Sequence, residues 1–417
     1  MVIAPQTDTS RLRTLDALRG VAVMGILLMN IFSFAMPSAA YFNPRAYRAD
    51  NVIDYAVWSF NFILIDSKMR ALFSLLFGAS MLLFIERADA SGLDSIKLHV
   101  RRMGWLFLFG ALHYALLWDG DVLTLYAAVG AIAFLWHWLE PRELIKLSIG
   151  LTLASFLLWA SVLYSFHKAD AAGLAPRASV EAVEARQTNL ANLGEPDSSA
   201  IADELDLFKS GYREIVTARA FADWAKPFRQ IVSYGFETLG LIFLGMALLK
   251  NGFLRGEWSN PAYWRVVGWG YGVGIGGMSI LWLIIWRSGF DVMTTGGAVL
   301  LWSLPFRIPI MLGHAALILI TLRLLQGSLV AQRIEAVGKT AFSNYILMSL
   351  ILAPIFYGYG LGLFGALFRW EAYLLVIPIW AVMLLWSKPW MAQFRHGPLE
   401  WLWRSLTRQE WVPMRRG

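Results

Sequence analysis

One histidine and two nearby aspartates are the residues in this sequence best placed to do acid–base chemistry. His113 precedes Asp119 and Asp121 in the stretch 112–126, which reads LHYALLWDGDVLTLY. A carboxylate that bonds one ring nitrogen of a histidine orients the ring, so that the other nitrogen can act as a general base. The same stretch is also typical of an ordinary water-facing turn between two apolar helices. We predict His113, Asp119 and Asp121 as candidate catalytic residues, provided that their side chains share one polar pocket.

The helices that carry this stretch have the composition of a membrane protein. The chain has 417 residues, of which 58% are hydrophobic and 16% charged, whereas soluble domains are about 25% charged. Its 20 tryptophans fit the aromatic belts at membrane surfaces. The Lys and Arg residues behind the net charge of +7 lie mostly in short loops between apolar segments, as the positive-inside rule requires. This basic charge therefore does not indicate a nucleic-acid partner.

Several common sites are excluded or disfavoured by the residues present. The chain has no cysteine, which excludes disulfides and thiolate metal sites. Its 6 histidines show no HExxH spacing, so we expect no metal site. The GxGxxG pattern at 272–277 lies inside an apolar segment, where glycines are typical of close helix packing rather than of dinucleotide binding. The glycine-rich face of this segment suggests a homodimer.

Hydrophobic segment lengths predict an all-α, polytopic membrane bundle. A helix of about 20 apolar residues crosses the hydrocarbon core, and by this length the chain has about ten transmembrane helices. With ten spans, the basic loops all face the cytoplasm together with both termini, which predicts a multi-pass protein of the bacterial inner membrane. The expected units are an N-terminal membrane half with five spans (1–166), a polar extracytoplasmic loop (167–228), a C-terminal membrane half with five spans (229–393) and a basic, tryptophan-rich interfacial tail (394–417).

Polar side chains inside the predicted spans are candidates for substrate binding. An ionisable side chain at the bilayer centre costs roughly 2.5–3.5 kcal/mol, so such residues usually face a cavity or a partner. For some of them a structural role is an equal or better alternative: Arg19 could simply pair with Asp16, and His314 could be a hydrogen-bonded core residue. The predicted binding residues are Arg19, Asn30, Lys68, Tyr126, Glu237, Arg307, His314, Lys339 and Asn344.

Motifs along nearly the whole chain resemble those of the bacterial YeiB-like family of integral membrane proteins. They are LDALRG at 15–20 with Asn30, Lys68 before LFSLLFG at 72–78, His113 with WDGDVLTLY at 118–126, GKTAFSNY at 338–345, FYGYGLG at 356–362 and GPLEWLWR at 397–404. Each motif alone is weak, but their joint order from residue 15 to residue 404 is specific. The family is often described as transporter-like.

The first third of the chain is also distantly similar to the heparan-α-glucosaminide N-acetyltransferase and related membrane acyltransferases. Arg19 and Asn30 match the LDxxRG opening and the following asparagine of that group. The resemblance implies transfer of an acyl group from cytosolic acyl-CoA to an acceptor on the opposite face. In that group the active histidine lies in the loop after the first span, but residues 37–53 here contain no histidine. We expect His113 to take its place.

The leading functional hypothesis is therefore acyl transfer across the membrane. Acyl-CoA would approach from the cytoplasm, where Arg19 and Lys339 could meet its phosphates. A small-molecule or lipid-linked acceptor would bind near Asp119 and Asp121, and His113 would remove its proton, by direct transfer or through an acyl-histidine. Two alternatives remain: a transporter that uses the same polar residues as a gated path, and a non-catalytic protein that binds membrane lipids.

Overall fold

The computed structural model describes residues 8–416, with side chains from residue 13, and most of this part of the chain is helical. The described residues form no β-strand beyond an isolated bridge between Phe394 and Arg415. The α-helices are α1 (Asp8–Ala35), α2 (Ser38–Phe42), α3 (Val52–Phe60), α4 (Lys68–Ala90), α5 (Ser95–Leu116), α6 (Leu123–Ala133), α7 (Pro141–Gly173), α8 (Val180–Asn192), α9 (Ser199–Lys209), α10 (Tyr212–Thr217), α11 (Lys226–Lys250), α12 (Asn260–Arg287), α13 (Val292–Gly297), α14 (Leu304–Leu324), α15 (Leu329–Lys339), α16 (Ala341–Phe356), α17 (Arg369–Gln393) and α18 (Pro398–Arg408).

The protein is a multi-pass membrane protein, but fewer helices than expected meet the requirements for a span. Among residues 8–416, 7 helical segments are long and apolar enough to cross a bilayer. An eighth is added if α15 and α16, which meet at an angle of 83°, count as one broken span. The predicted number of ten is not confirmed. Helix α5 begins with several basic residues, and the apolar helix Leu123–Trp136 is short.

Glycines allow the long helices to approach each other closely. A Cβ atom on Gly245 of α11 would lie 1.9 Å from the carbonyl oxygen of Leu75 on α4. On α12, a Cβ atom on Gly274 would lie 2.4 Å from Ile310 of α14, whereas Gly272 and Gly276 have no neighbour within 4 Å. Part of the predicted glycine-rich face is thus a helix contact, as expected for small residues in membrane bundles.

The segment predicted as a polar loop at 167–228 is largely helical and docks onto one end of the bundle. Helix α7 extends to Gly173, and α8, α9 and α10 follow. Phe208 of α9 is buried, and its ring stacks on Tyr357 at 4.8 Å and contacts Phe364 at 4.7 Å. We call this end the loop end.

The tail packs at the opposite end, which we call the tail end. Glu400 of α18 accepts hydrogen bonds from the backbone N–H groups of Phe342 (2.7 Å) and Ser343 (3.1 Å) at the start of α16. Trp403 donates to the carbonyl oxygen of Arg102 near the start of α5. Gly338 of the neighbouring α15 lies against Asp16 of α1, so this part of α1 is also at the tail end.

Candidate functional site

A hairpin between α5 and α6 at the loop end positions the predicted catalytic residues. The Oδ2 atom of Asp121 accepts hydrogen bonds from the backbone N–H (3.0 Å) and the hydroxyl (2.8 Å) of Thr124, and so caps the start of α6. A Cβ atom on Gly110 of α5 would lie 2.5 Å from the backbone nitrogen of Thr124. A glycine at this position therefore lets the start of α6 approach α5 closely.

His113 joins Asp121 and Ser349 in a buried chain of hydrogen bonds, which we call the His113 network. The Nδ1 atom of His113 lies 2.9 Å from Asp121 Oδ1, and Nε2 lies 2.8 Å from Ser349 Oγ. The exposed fractions of the three residues are 2% or less. Since an ionised carboxylate can only accept, we assign the proton to Nδ1, so that Nε2 accepts from the serine hydroxyl.

This order of groups is that of a serine nucleophile, a histidine base and an orienting aspartate. The aspartate fixes the tautomer and stabilises the imidazolium that forms when the histidine takes a proton. Sequence reasoning missed Ser349, which lies 236 residues after His113. A serine in an apolar helix has no distinctive spacing, and only the packing of α16 against α5 brings it to the imidazole.

Aromatic rings surround the imidazole of His113. The ring of Tyr345 lies 5.1 Å and the ring of Trp118 lies 6.1 Å from it, between centroids. Trp118 is stacked on Phe34 at 4.2 Å. Such packing excludes water, and electrostatic interactions within the network are therefore stronger than in bulk solvent.

A cavity of about 220 Å³ with both polar and apolar side chains in its wall lies beside the network. Asp121, which belongs to the network, and Trp118, which packs against it, are in the cavity wall. His113 and Ser349 do not reach the cavity surface. Two residues predicted to bind substrate, Asn30 and Arg307, are in its wall. The other polar side chains that line the cavity are Ser33, Tyr41, Asp66, Ser67, Arg70, Trp159, Gln230 and Tyr234.

Two arginines of the cavity wall share one buried glutamate. Glu237 of α11 accepts from Arg70 (2.7 Å) and forms an ion pair with Arg307 (3.5 Å). Arg307 also donates to Ser303 at 3.1 Å. The Nη1 atom of Arg70 is buried without a hydrogen-bond partner. Glu237 and Arg307 were predicted from the sequence, but Arg70 was not.

Three other predicted residues make contacts that fix neighbouring helices. Tyr126 bonds Ser74 of α4 at 2.9 Å between the hydroxyl oxygens. Lys68 is 1% exposed and donates to the carbonyl oxygen of Phe62. His314 lies 2.8 Å from both the hydroxyl of Tyr271 and the carbonyl oxygen of Leu64, so each of its ring nitrogens has a partner. These three residues are not in the cavity wall.

Asp119 is turned away from His113 and pairs with Lys226 at the start of α11. The distance from Lys226 Nζ to Asp119 Oδ2 is 2.6 Å. Burial by itself raises the pKa of Asp119, but the positive charges of Lys226 and Arg219 outweigh this effect and hold the pKa below its usual value of 3.8. Of the two predicted aspartates, the structure thus joins only Asp121 to the histidine.

At the tail end, the two cations predicted to meet phosphates are already paired with carboxylates. Arg19 donates to Asp16 (2.8 Å) and to Ser80 (2.6 Å). Lys339 forms an ion pair with Glu335. The alternative considered for Arg19, a pair with Asp16, is therefore present.

Asn344 is fully buried in a second polar network of α16, which we call the Asn344 network. Its amide nitrogen donates to Thr340 (2.9 Å) and Ser387 (3.2 Å), and its amide oxygen accepts from Trp386 (2.9 Å). Thr340 also donates to Ser387 at 3.0 Å. This network contains no ionisable group, and it joins α16 to α17.

Within residues 8–416, no three His, Asp or Glu side chains are grouped so that they could hold a metal ion. The side chains of the His113 network can remove a proton from a hydroxyl, with the positive charge on the imidazole balanced by Asp121.

Comparisons with known proteins link the chain to bacterial relatives along almost its full length. A family described as "Protein of unknown function (DUF418)" matches residues 248–410. "Uncharacterized protein YeiB" of Escherichia coli (strain K12) is 33% identical over 398 residues, covering 94% of this chain and 95% of that protein. "Uncharacterized protein YxaH" of Bacillus subtilis (strain 168) is 29% identical over 425 residues, with 99% and 98% covered.

No solved structure matches the chain. The match to the Escherichia coli protein covers 94% of this chain at 33% identity. This chain belongs to the YeiB family of bacterial integral membrane proteins.

Proposed function

We propose that the protein transfers an acyl group from cytoplasmic acyl-CoA to a hydroxyl or amine acceptor on the other side of the membrane. The observation that supports this most is the His113 network, in which Asp121 holds Nδ1 of His113 at 2.9 Å. An imidazole held in this way has its Nε2 lone pair available for a proton, which is what a general base in acyl transfer requires.

The cavity at the loop end is the acceptor site in this proposal. Its volume of about 220 Å³ is below the roughly 300–1,000 Å³ of sites for drug-sized ligands, so it suits a small polar molecule or the head group of a lipid-linked acceptor. Arg70, Arg307 and Asn30 provide hydrogen-bond donors in its wall. An acceptor oxygen is the natural partner for the unpaired Nη1 atom of Arg70.

Acyl-CoA would enter at the tail end. Arg19 and Lys339 lie there, and each is held by a single acidic residue, Asp16 or Glu335. A phosphate carries more charge than a carboxylate and presents more acceptor oxygens. In this proposal the CoA phosphates therefore replace these carboxylates as partners of the two cations.

Release of free CoA by the purified full-length protein tests this proposal. Since the chain has no cysteine, a thiol-reactive dye detects only the released CoA. The protein is assayed in detergent with acetyl-CoA and a mixture of hexoses and hexosamines as acceptors. We expect His113→Gln to lower thiol release by about 10²–10⁴-fold, the usual contribution of a general base.

His99→Gln is the matched control, because His99 lies on the same helix, is 1% exposed and makes one hydrogen bond, to the carbonyl oxygen of Gly130. This variant should keep thiol release within a few-fold of the wild type. Equal rates for His113→Gln and the wild type would refute the role of His113.

Transport of a small amphipathic molecule is the second candidate function. The observation in its favour is that the polar cavity reaches Asp121 but not His113 or Ser349. In a transporter these residues would open and close a path instead of reacting. A transporter would move its substrate without releasing CoA thiol, so the same assay separates the two functions.

We further propose that the protein lies in the bacterial inner membrane with the tail end in the cytoplasm. Arg102 and Arg404, which are at the tail end, fit the positive-inside rule. A homodimer through the face of α12 that carries Gly272 and Gly276 is compatible with their open surroundings. Fusions of a periplasmic reporter after residue 194 and after residue 417 test the orientation: only the first should be active.

A further inference from the structure

We propose that Ser349 is the nucleophile of the reaction and carries the acyl group as a covalent ester before the acceptor receives it. This inference rests on the proposed acyl transfer and adds a second catalytic residue to it. The contact that points to it is the hydrogen bond of 2.8 Å between Ser349 Oγ and His113 Nε2.

The hydroxyl of Ser349 is bonded differently from those of two other helical serines, Ser74 and Ser80. A serine inside a helix commonly donates to the carbonyl four residues earlier. Ser74 does so to Arg70 at 2.9 Å, and Ser80 does so to Leu76 at 2.6 Å. In the described part of the chain, the hydrogen bond of Ser349 is instead to the imidazole of His113. The hydroxyl proton of Ser349 therefore lies in a hydrogen bond to a base, Nε2 of His113.

The same contacts argue against an acyl-histidine. Nδ1 of His113 is hydrogen-bonded to Asp121, and Nε2 is hydrogen-bonded to Ser349. Both ring nitrogens thus already have a hydrogen-bond partner, and an acyl group on either of them would displace one. The serine oxygen is the atom of the network that gains nucleophilicity when the imidazole takes a proton.

The position of Ser349 suits a residue that receives a group from one side and passes it to the other. It lies near the middle of α16 (Ala341–Phe356). The Asn344 network is on its tail-end side, and the cavity is at the loop end. Asp121 and Trp118 both line the cavity, and the indole nitrogen of Trp118 is buried without a hydrogen-bond partner.

The reaction has two balanced steps. In the first, Ser349 Oγ attacks the thioester carbonyl carbon and its proton passes to His113 Nε2. The C–S bond then breaks, and the imidazolium gives this proton to the sulfur, which leaves as CoA thiol. In the second, an acceptor hydroxyl or amine attacks the ester carbon and its proton passes to His113. The ester C–O bond breaks, and Ser349 recovers its proton from the imidazolium.

Acid quenching of the full-length protein after incubation with radiolabelled acetyl-CoA, without acceptor, tests this inference. We expect label on the peptide that contains Ser349, found by proteolysis and mass spectrometry. An oxygen ester survives the quench, whereas an acyl-imidazole hydrolyses. Ser349→Ala should lose both the label and at least about 99% of thiol release, because the base that contributes about 10²–10⁴-fold then has no nucleophile to activate.

Ser349→Cys and Ser155→Ala keep the test interpretable if one variant folds poorly. Ser349→Cys places the only thiol in the chain at the site, and its label should become sensitive to neutral hydroxylamine, as a thioester is. Ser155 is fully buried and its hydroxyl has no hydrogen-bond partner, so Ser155→Ala should keep both label and thiol release.

The outcomes separate the two proposals. Thiol release that persists in Ser349→Ala, or wild-type release with no label at Ser349, overturns the serine intermediate and leaves direct acyl transfer in place. Absence of both thiol release and label in the wild type overturns the acyl transfer itself and the intermediate with it.

Discussion

Two buried polar networks meet on the same helix, and they differ in what they can do. The Asn344 network joins amide, hydroxyl and indole groups between α16 and α17, and none of these groups changes charge near neutral pH. The His113 network joins α5, α6 and α16 through an imidazole, a carboxylate and a hydroxyl. Both are almost fully buried. Burial and hydrogen bonding thus do not distinguish a structural network from a catalytic one.

The difference lies in proton transfer. In the Asn344 network every donor keeps its proton, because amides and indoles are far too weak as acids and bases to exchange it. In the His113 network the imidazole can accept the proton of Ser349 while Asp121 balances the charge. We therefore expect substitutions in the first network to change stability and substitutions in the second to change chemistry.

The largest expected effect is on chemistry and comes from Asp121→Asn. An asparagine amide can donate to Nδ1, which favours the tautomer with the proton on Nε2 and removes the base that faces Ser349. We expect kcat for thiol release from acetyl-CoA to fall by about 10²–10⁴-fold with KM little changed.

Asp54→Asn, which changes an equally buried aspartate outside the site, is the control for Asp121→Asn and should leave kcat within a few-fold. A rise in KM alone for Asp121→Asn would show that Asp121 binds substrate rather than orienting His113.

The next largest effect is on stability and comes from Glu237→Gln. The change leaves Arg70 and Arg307 without their shared carboxylate, and an uncompensated buried charge costs about 3–5 kcal/mol. A large fall in the thermal unfolding midpoint of the purified protein is expected. Glu410→Gln, which breaks a largely exposed pair with Arg408 at 3.6 Å, should change the free energy of unfolding by at most about 0.5 kcal/mol.

Ser387→Ala tests the structural side of the comparison. It removes a partner of both Thr340 and Asn344, and a buried polar group without a partner costs about 1–3 kcal/mol. The unfolding midpoint should fall, while thiol release by the folded protein stays at the wild-type rate. A fall in kcat at unchanged stability would mean that the Asn344 network also takes part in the chemistry.

The smallest expected effect is the pH dependence of stability that the ionisation of Asp119 causes. Burial raises the pKa of Asp119, but the positive charges of Lys226 and Arg219 lower it by more. The pKa is therefore below its usual value of 3.8. A lowered acid pKa contributes stability above the unfolded value, and this contribution is lost as the pH falls through the folded value. The unfolding midpoint of the wild type should therefore lie a few degrees above that of Asp119→Asn near pH 6, and the two midpoints should converge as the pH falls through the folded pKa of Asp119. A difference that grows on acidification would contradict the assigned pair.

The sequence alone was sufficient to predict the contacts of the site that join residues close together in the chain. His113 and Asp121 are close in the chain, on either side of a helix end, and their contact was predicted. Asp119 was expected beside them, but the turn directs it to Lys226. Ser349 was missed because its role depends on a contact between distant helices. The predicted number of ten spans is not confirmed, because among residues 8–416 only 7 helical segments, or 8 with the bent pair α15 and α16, have the length and composition of a span.

Acyl transfer across a sealed membrane is the most direct test of the central claim. The protein is reconstituted in vesicles with radiolabelled acetyl-CoA outside and the mixture of hexoses and hexosamines trapped inside. We expect labelled acetyl groups on the trapped sugars and free CoA thiol outside, both lost in His113→Gln and kept in His99→Gln. Passage of intact acetyl-CoA or of unmodified sugar at equal rates in the wild type and His113→Gln would contradict a catalytic His113 network.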